Sequence, residues 1–135
     1  MTGQAFLDAS FWIAYRDERQ HLHAEARRIV SEVFRRRTGM VTTLPVLCEI
    51  HAHFCRSSVK QRLITQDFEN NPIVQIEEVT HPDQQRAFDL LRRQAEKTCS
   101  LCDAISFVVI RRLGLKQVLA FDDHLRQFGA FEIIR

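Results

Sequence analysis

Five short apolar runs punctuate this chain: Gln4-Ala5-Phe6-Leu7, Met40-Val41-Thr42, Ile73-Val74-Gln75-Ile76, residues 117–121 and residues 131–134. Segments of helical period separate them. Runs this brief and this apolar suit strands covered on both faces, and a helix between consecutive strands brings the chain back to start the next one in the same direction. The pattern predicts an α/β fold, a three-layer α/β/α sandwich around a mostly parallel sheet of four to five strands.

The helical segments have their own punctuation. Ser10 is expected to cap a first helix carrying Phe11, Trp12, Ile13 and Ala14. Leu22, Ala26, Ile29, Val30, Val33 and Phe34 recur at three- and four-residue spacing, the stripe of an amphipathic helix ending near Thr38-Gly39. Pro45 suits the first turn of a third helix, where its missing N–H costs nothing, with Val46, Ile50 and Phe54 facing inward. A polar helix over 59–68 is broken by Asn70-Asn71-Pro72. His81-Pro82-Asp83 opens a helix with Phe88, Leu91 and Ala95 on one face. Residues 103–113 are apolar nearly all round, as a central buried helix would be, and Gly114 closes it. A short helix is expected over 123–128.

Four acids sit where a carboxylate makes poor structural sense. Asp8 ends the first apolar run and Asp122 the fourth; Glu49 is embedded in Leu47-Cys48-Glu49-Ile50, and Asp103 opens the most hydrophobic helix. Carboxylates are rarely buried without compensation. Taken singly, each has a structural role available: Asp8 or Asp103 as a helix cap, Glu49 paired with His53, Asp122 as a strand terminator. Taken together, they fall at the end of a parallel sheet where such folds bind ligands. Crowded carboxylates repel one another, and a hard cation such as Mg²⁺ or Mn²⁺, which takes oxygen ligands and retains water, relieves that conflict. Such a metal holds a phosphate oxygen, activates a water and stabilises a leaving oxygen, so the expected chemistry is phosphodiester cleavage.

With 135 residues, 45% of them hydrophobic and 27% charged, the chain reads as one globular domain covering 1–135 rather than a disordered one. No signal-peptide pattern or membrane-spanning run is present, which predicts a cytoplasmic protein with Cys48, Cys55, Cys99 and Cys102 reduced. The formal charge of +2 conceals many arginines beside only three lysines. Arg27, Arg28, Arg35, Arg36 and Arg37 could form a nucleic-acid-facing patch or a solvated helix face of ion pairs.

The four acids lie in segments that resemble the PIN-domain family. Phe6-Leu7-Asp8-Ala9-Ser10 is similar to its opening motif, an Asp followed two residues later by Ser or Thr. Thr42-Thr43-Leu44-Pro45-Val46-Leu47-Cys48-Glu49-Ile50 resembles the second, and Ser100-Leu101-Cys102-Asp103-Ala104-Ile105 the third. Ala120-Phe121-Asp122-Asp123-His124-Leu125 resembles the fourth, with Ala120 in place of a frequent hydroxyl residue and Leu125 in place of a frequent Phe. Each motif is short, but the ordered set spans most of the chain. The resemblance implies a Mg²⁺- or Mn²⁺-dependent endoribonuclease leaving a 5′-phosphate, with Asp8, Glu49, Asp103 and Asp122 as catalytic metal ligands, Ser10 a supporting residue and Asp123 a possible further acid. The compact length is most similar to VapC-type toxins of type II toxin–antitoxin pairs. That implies an RNA substrate, an antitoxin partner offering an Arg to the acids, and a homodimer.

Other readings stand beside this one. Cys48, His51 and Cys55 on one helix, with the CxxC of Cys99 and Cys102, could be imagined as a zinc site. A degenerate domain could hold RNA or protein without cutting, and a housekeeping RNA-processing nuclease of the same fold would carry the same acids. For self-association, Phe11, Trp12 and Tyr15, or Phe54 and Phe68, are candidate apolar contacts.

Overall fold

The computed structural model describes residues 3–94, 99–122 and 125, and residues 132–134 as backbone. The chain runs β1 (Gln4–Leu7), α1 (Ala9–Arg16), α2 (His23–Arg35), β2 (Gly39–Thr43), α3 (Leu44–His53), α4 (Ser58–Glu69), β3 (Val74–Glu77), α5 (His81–Arg93), α6 (Leu101–Leu113), β4 (Gln117–Leu119) and β5 (Glu132–Ile134). The five strands form one sheet in the order β3-β2-β1-β4-β5, and every pair is parallel.

The topology follows from the apolar pattern. β2 is buried at all five positions and β1 at three of four, as inner strands of a covered sheet must be. Strand order runs one way from β1 through β2 to β3 and the other way from β4 to β5, so it reverses between β1 and β4. Right-handed crossovers therefore put α1–α4 on one face and α5–α6 on the other. The packing agrees: α1 lies against α2 and α3, α3 against α4, and α5 against α6. The backbone N–H of Asp8 donates to Leu119 O (3.0 Å) and Thr42 Oγ1 to Leu7 O (2.9 Å), so the carboxyl ends of the three inner strands are tied together.

Several expectations shift. Ser10 does not cap α1; Asp8 does, its carboxylate accepting from the Ser10 N–H. β4 stops at Leu119 rather than 121, because the N–H groups of Phe121 and Asp122 turn to the Ser10 hydroxyl. Along α5 the inward positions are Asp83 and Ala87, flanked by half-buried Leu90 and Leu91; Phe88 is 41% exposed. Phe34 likewise sits at the edge of the buried face of α2, 39% exposed. Ala95, Asp123 and most of the short helix expected over 123–128 lie outside the described residues; Leu125 is fully buried.

The aromatic residues considered for a dimer face are core instead. Phe11, Trp12, Phe54 and Phe68 are buried and Tyr15 is half-buried; the Phe11 ring stacks on Phe121 and Trp12 packs on Phe68. Trp12 is held by its indole N–H, which donates to Asp67 Oδ2 at 2.9 Å. The exposed large apolar side chains lie elsewhere, with Leu44, Ile76, Phe88 and Leu101 around one groove. No helix among the described residues is long and apolar enough to cross a membrane.

Candidate active site

The reversal of strand order leaves a crevice above the carboxyl ends of β1 and β4, the position at which open parallel sheets bind ligands. A cleft of about 590 Å³ occupies it, and Asp8, Glu49, Asp103 and Asp122 all line it. Four acids separated by as much as the whole sheet-forming chain are thereby brought to one surface.

Asp8 leaves β1 as the cap of α1 and is 4% exposed. Its Oδ2 accepts from Ser10 Oγ at 2.7 Å and from the Ser10 N–H at 3.3 Å. The same Ser10 oxygen accepts from the N–H of Phe121 (3.0 Å) and of Asp122 (3.4 Å). A hydroxyl has one donor and two acceptor sites, and all three are used. Ser10 thus fixes the carboxylate after β1 to the backbone carrying the carboxylate after β4. Where the family often has a hydroxyl, Ala120 contributes only a buried methyl.

Asp103 reaches the cleft from α6. Ser100 caps that helix: its Oγ accepts from the Asp103 N–H (3.0 Å), and Asp103 Oδ2 accepts from the Ser100 N–H (3.4 Å), a reciprocal capping box. Asp103 is therefore the third residue of the helix, not its cap. The Ser-x-x-Asp spacing in the sequence is the signal that could have assigned these roles. Glu49 projects from α3, and the Cys102 thiol hydrogen-bonds to it. Asp123 lies outside the described residues.

The electrostatics of the cleft are those of acids that raise a neighbouring carboxyl. Burial first, then the charge of Asp122 and to a smaller extent that of Asp103, push the Asp8 carboxyl up to about 6, against the lowering effect of Ser10. Burial, the charge of Glu49, the hydrogen bond to Glu49, and the charges of Asp103 and Asp8 push the Cys102 thiol well above its ordinary range. Cys99 is raised as well, by burial and by Asp103. A redox or zinc-binding CxxC works as a thiolate, and these surroundings favour the opposite form. All four cysteines are free.

Carboxylate oxygens are the donors that hard divalent cations take, so Asp8, Glu49, Asp103 and Asp122 could hold such an ion. Among the described residues no three His, Cys, Asp or Glu side chains are already drawn together as a metal cage. The donor set fits Mg²⁺ better than a cage-forming metal, since Mg²⁺ is usually held by one or two carboxylates with its remaining positions filled by water and substrate phosphate.

On the rim, the sequence expectation for His53 is corrected. His53 Nε2 meets Asp17 Oδ2 at 2.9 Å, not Glu49. Hydrogen bonds from Arg19 and His53 hold Asp17 well below the usual carboxylate range despite its burial. Asp17 is the last-turn cap of α1, so this pair braces α1 against α3 beside the cleft. Gln20 and His21 also line the cleft and were not singled out from the sequence; polar side chains on a loop between helices carry no spacing signal.

Residues 5–130 match the PIN domain. The chain belongs to the PIN-domain family. It is 27% identical over 129 residues to the 23S rRNA-specific endonuclease VapC20 of Mycobacterium tuberculosis, in both the CDC 1551 and H37Rv strains, covering 95% of this chain and 96% of the relative. The crystal structure of Mycobacterium tuberculosis VapC20, described as a sarcin-ricin loop cleaving toxin, superposes with a TM-score of 0.85 at 26% identity, over 97% of this PIN domain's chain and 99% of the other. The crystal structure of VapBC2 from Rickettsia felis, bound to a DNA fragment from its promoter, shares the fold with a TM-score of 0.65 at 8% identity, over 97% of each chain.

Proposed function

We propose that this PIN domain is a Mg²⁺- or Mn²⁺-dependent endoribonuclease and the toxin of a type II toxin–antitoxin pair, with ribosomal RNA as its substrate. The observation that carries the reading is the convergence of Asp8, Glu49, Asp103 and Asp122 on one cleft at the reversal of strand order. The likeness to the 23S rRNA-specific endonuclease over nearly the full length of both chains supports the choice of RNA.

In this reading the four acids are the metal ligands and the catalytic set. When bound, the divalent ion supplies positive charge to the scissile phosphate and activates a water for attack. Asp8 and Asp122 hold their relative position through Ser10, and the Cys102 thiol steadies Glu49. The capping box fixes the first turn of α6 and with it the Asp103 carboxylate. Two protein partners belong to the proposal: a small antitoxin that covers the cleft with a cationic side chain, and a second copy of this chain.

The rival reading is a domain of the same fold that holds RNA without cutting it. A cleavage assay decides between the two. Wild-type protein with Mn²⁺ or Mg²⁺ is expected to cut ribosomal RNA, to stop when the metal is chelated, and to arrest growth when expressed without antitoxin. Asp103→Asn is expected to fold equally well and to lose cleavage by on the order of 10⁴-fold, the scale of removing one member of a catalytic set. Equal cutting or equal growth arrest by the variant would end the assignment of the site.

A further inference from the structure

Some of the arginines that stand out in the sequence are opposed within their own helix: Arg28 pairs with Glu25, and Arg35 and Arg36 share Glu32. A second set, scattered in sequence, gathers between α5 and α6. Arg86, Arg93, Arg111 and Arg112 line a groove of about 450 Å³ together with Leu90 and Phe107, and no acid lines it among the described residues. Arg112 is committed to Asp83, Glu77 and the Glu78 carbonyl. Arg86, Arg93 and Arg111 form no ion pair with any described residue, and the Arg111 guanidinium lies over the Phe107 ring, 6.0 Å from its centroid.

The groove and the acid cleft both draw residues from α6. The pairing of Arg112 with Asp83 fixes α5 and α6 antiparallel, with the end of α6 beside the start of α5. Ten residues along α5 from Asp83 is Arg93, and nine residues back along α6 from Arg112 is Asp103. At roughly 1.5 Å per residue both steps cover about 15 Å, so Arg93 and Asp103 stand at the same level of the helix pair. The Arg93 end of the cationic groove is therefore level with Asp103 of the acid cleft, and the rest of the groove runs away from that level.

We propose that this groove is a second RNA contact, gripping phosphates of the strand that flanks the scissile bond. The proposal rests on the nuclease reading. An acid cleft repels the polyanion it must cut, and a row of guanidiniums without ion pairs to described residues offsets that repulsion through phosphate contacts. About 15 Å accommodates on the order of four nucleotides at the roughly 3.4 Å rise per nucleotide of a stacked strand. The contact reads backbone charge, so it adds affinity and register rather than base specificity.

The test is an Arg86→Gln/Arg111→Gln double variant. Both residues are exposed, so the fold is expected to persist, checked by thermal melting. With purified ribosomal RNA as substrate, the variant is expected to show KM raised about tenfold with kcat unchanged, the signature of lost uniform binding. In an Asp103→Asn background, where RNA stays intact, the slope of log affinity against log salt is expected to fall by about one per arginine removed. Unchanged KM and unchanged slope would overturn the groove while leaving the cleavage site standing. Loss of antitoxin binding with RNA binding intact would also overturn it, in favour of a protein contact. If the wild type cuts no RNA, the nuclease reading fails, and the salt slope of binding to the same RNA still decides whether the groove holds phosphates.

Discussion

Asp8 and Asp83 are both aspartates at the start of a helix, and both are shut off from solvent, at 4% and 0% exposure. Asp83 sits in a capping box with Thr80 and receives two hydrogen bonds from Arg112, each of 3.0 Å. Burial alone would raise its carboxyl, but Arg112 and Thr80 outweigh it and hold the group below its ordinary value. Among the described residues Asp8 is served by Ser10 and faces Asp122 and Asp103; its carboxyl rises to about 6. Burial raises both carboxyls; at Asp83 a guanidinium and the capping box outweigh it, and at Asp8 neighbouring acids add to it. Asp83 is stabilised within the fold. Asp8 is raised by burial and by neighbouring charge, a state that a bound cation would relieve and that is expected of an acid serving the proposed site.

The comparison breaks most visibly if Asp83 is stripped of its partner. Arg112→Leu leaves a buried carboxylate facing an apolar side chain, and the expected cost is about 2–4 kcal/mol. That lies toward the lower part of the range for broken buried pairs, because the guanidinium is 28% exposed on its outer edge. Denaturant unfolding at neutral pH measures it. Asp83→Asn is the sharper control, since it removes the charge and retains capping capacity, and it should cost less than Arg112→Leu. If the two substitutions cost the same, the uncompensated charge is not the source of the loss.

Asp8→Asn is expected to move stability the other way. Raising a buried carboxyl from 3.8 to about 6 corresponds to roughly 3 kcal/mol of unfavourable ionisation at neutral pH. Part of that gain is forfeited with the hydrogen bonds of the carboxylate, so the metal-free variant should be about 1–2 kcal/mol more stable at pH 7 while losing cleavage. The sign can be followed with pH. Asp8 binds its proton more tightly folded than unfolded, so its contribution to stability is greatest below about 4 and is lost as pH rises to about 6. Asp83 behaves inversely: its contribution is present above 3.8 and disappears as pH falls through its lowered folded value. Asp8→Asn should thus flatten the stability profile between 4 and 6 and leave the acid limb unchanged. A gain in stability that persists unchanged at pH 3.5 would refute this account.

The same pair shows how far the sequence could be read. The apolar runs placed all five strands and the order of the helices, because the signal for a covered parallel sheet is local: a few consecutive apolar residues followed by a helical period. The acids were legible for a related reason, as charges at positions where the pattern calls for apolar residues. What was not legible depends on partners far along the chain. Thr80-x-x-Asp83 and Ser100-x-x-Asp103 are the same motif, and both form capping boxes. One aspartate ends against Arg112 and the other on the cleft, a difference set by a residue 29 positions beyond Asp83. Likewise the clustered arginines of α2 find glutamates one turn away, whereas Arg86 and Arg111 become neighbours only when α5 packs on α6. The aromatic residues of α1 looked available for association because periodicity does not reveal that both faces of a short helix are covered by α2, α3 and the sheet.

Ser10→Ala probes the smallest difference between the two aspartates, the hydroxyl that stands where Asp83 has a guanidinium. Removing it takes a donor from Asp8 and an acceptor from the N–H groups of Phe121 and Asp122. Water can reach the cleft and replace part of this, so the stability cost should be only about 1 kcal/mol. Cleavage should suffer more, by roughly 10–100-fold, the usual effect of removing a group that orients a ligand rather than serving as one. Ser10→Thr keeps the hydroxyl and should recover most of the activity. A purely structural role would predict the same stability loss, so the deciding measurement is the titration of Asp8 by carboxyl NMR in the metal-free protein. Both Ser10 hydrogen bonds lower the Asp8 carboxyl, so losing the hydroxyl must raise it above about 6. If activity falls while the Asp8 titration stays where it was, Ser10 acts through the backbone of Phe121 and Asp122 instead, and the link between the two carboxylates is mechanical rather than electrostatic.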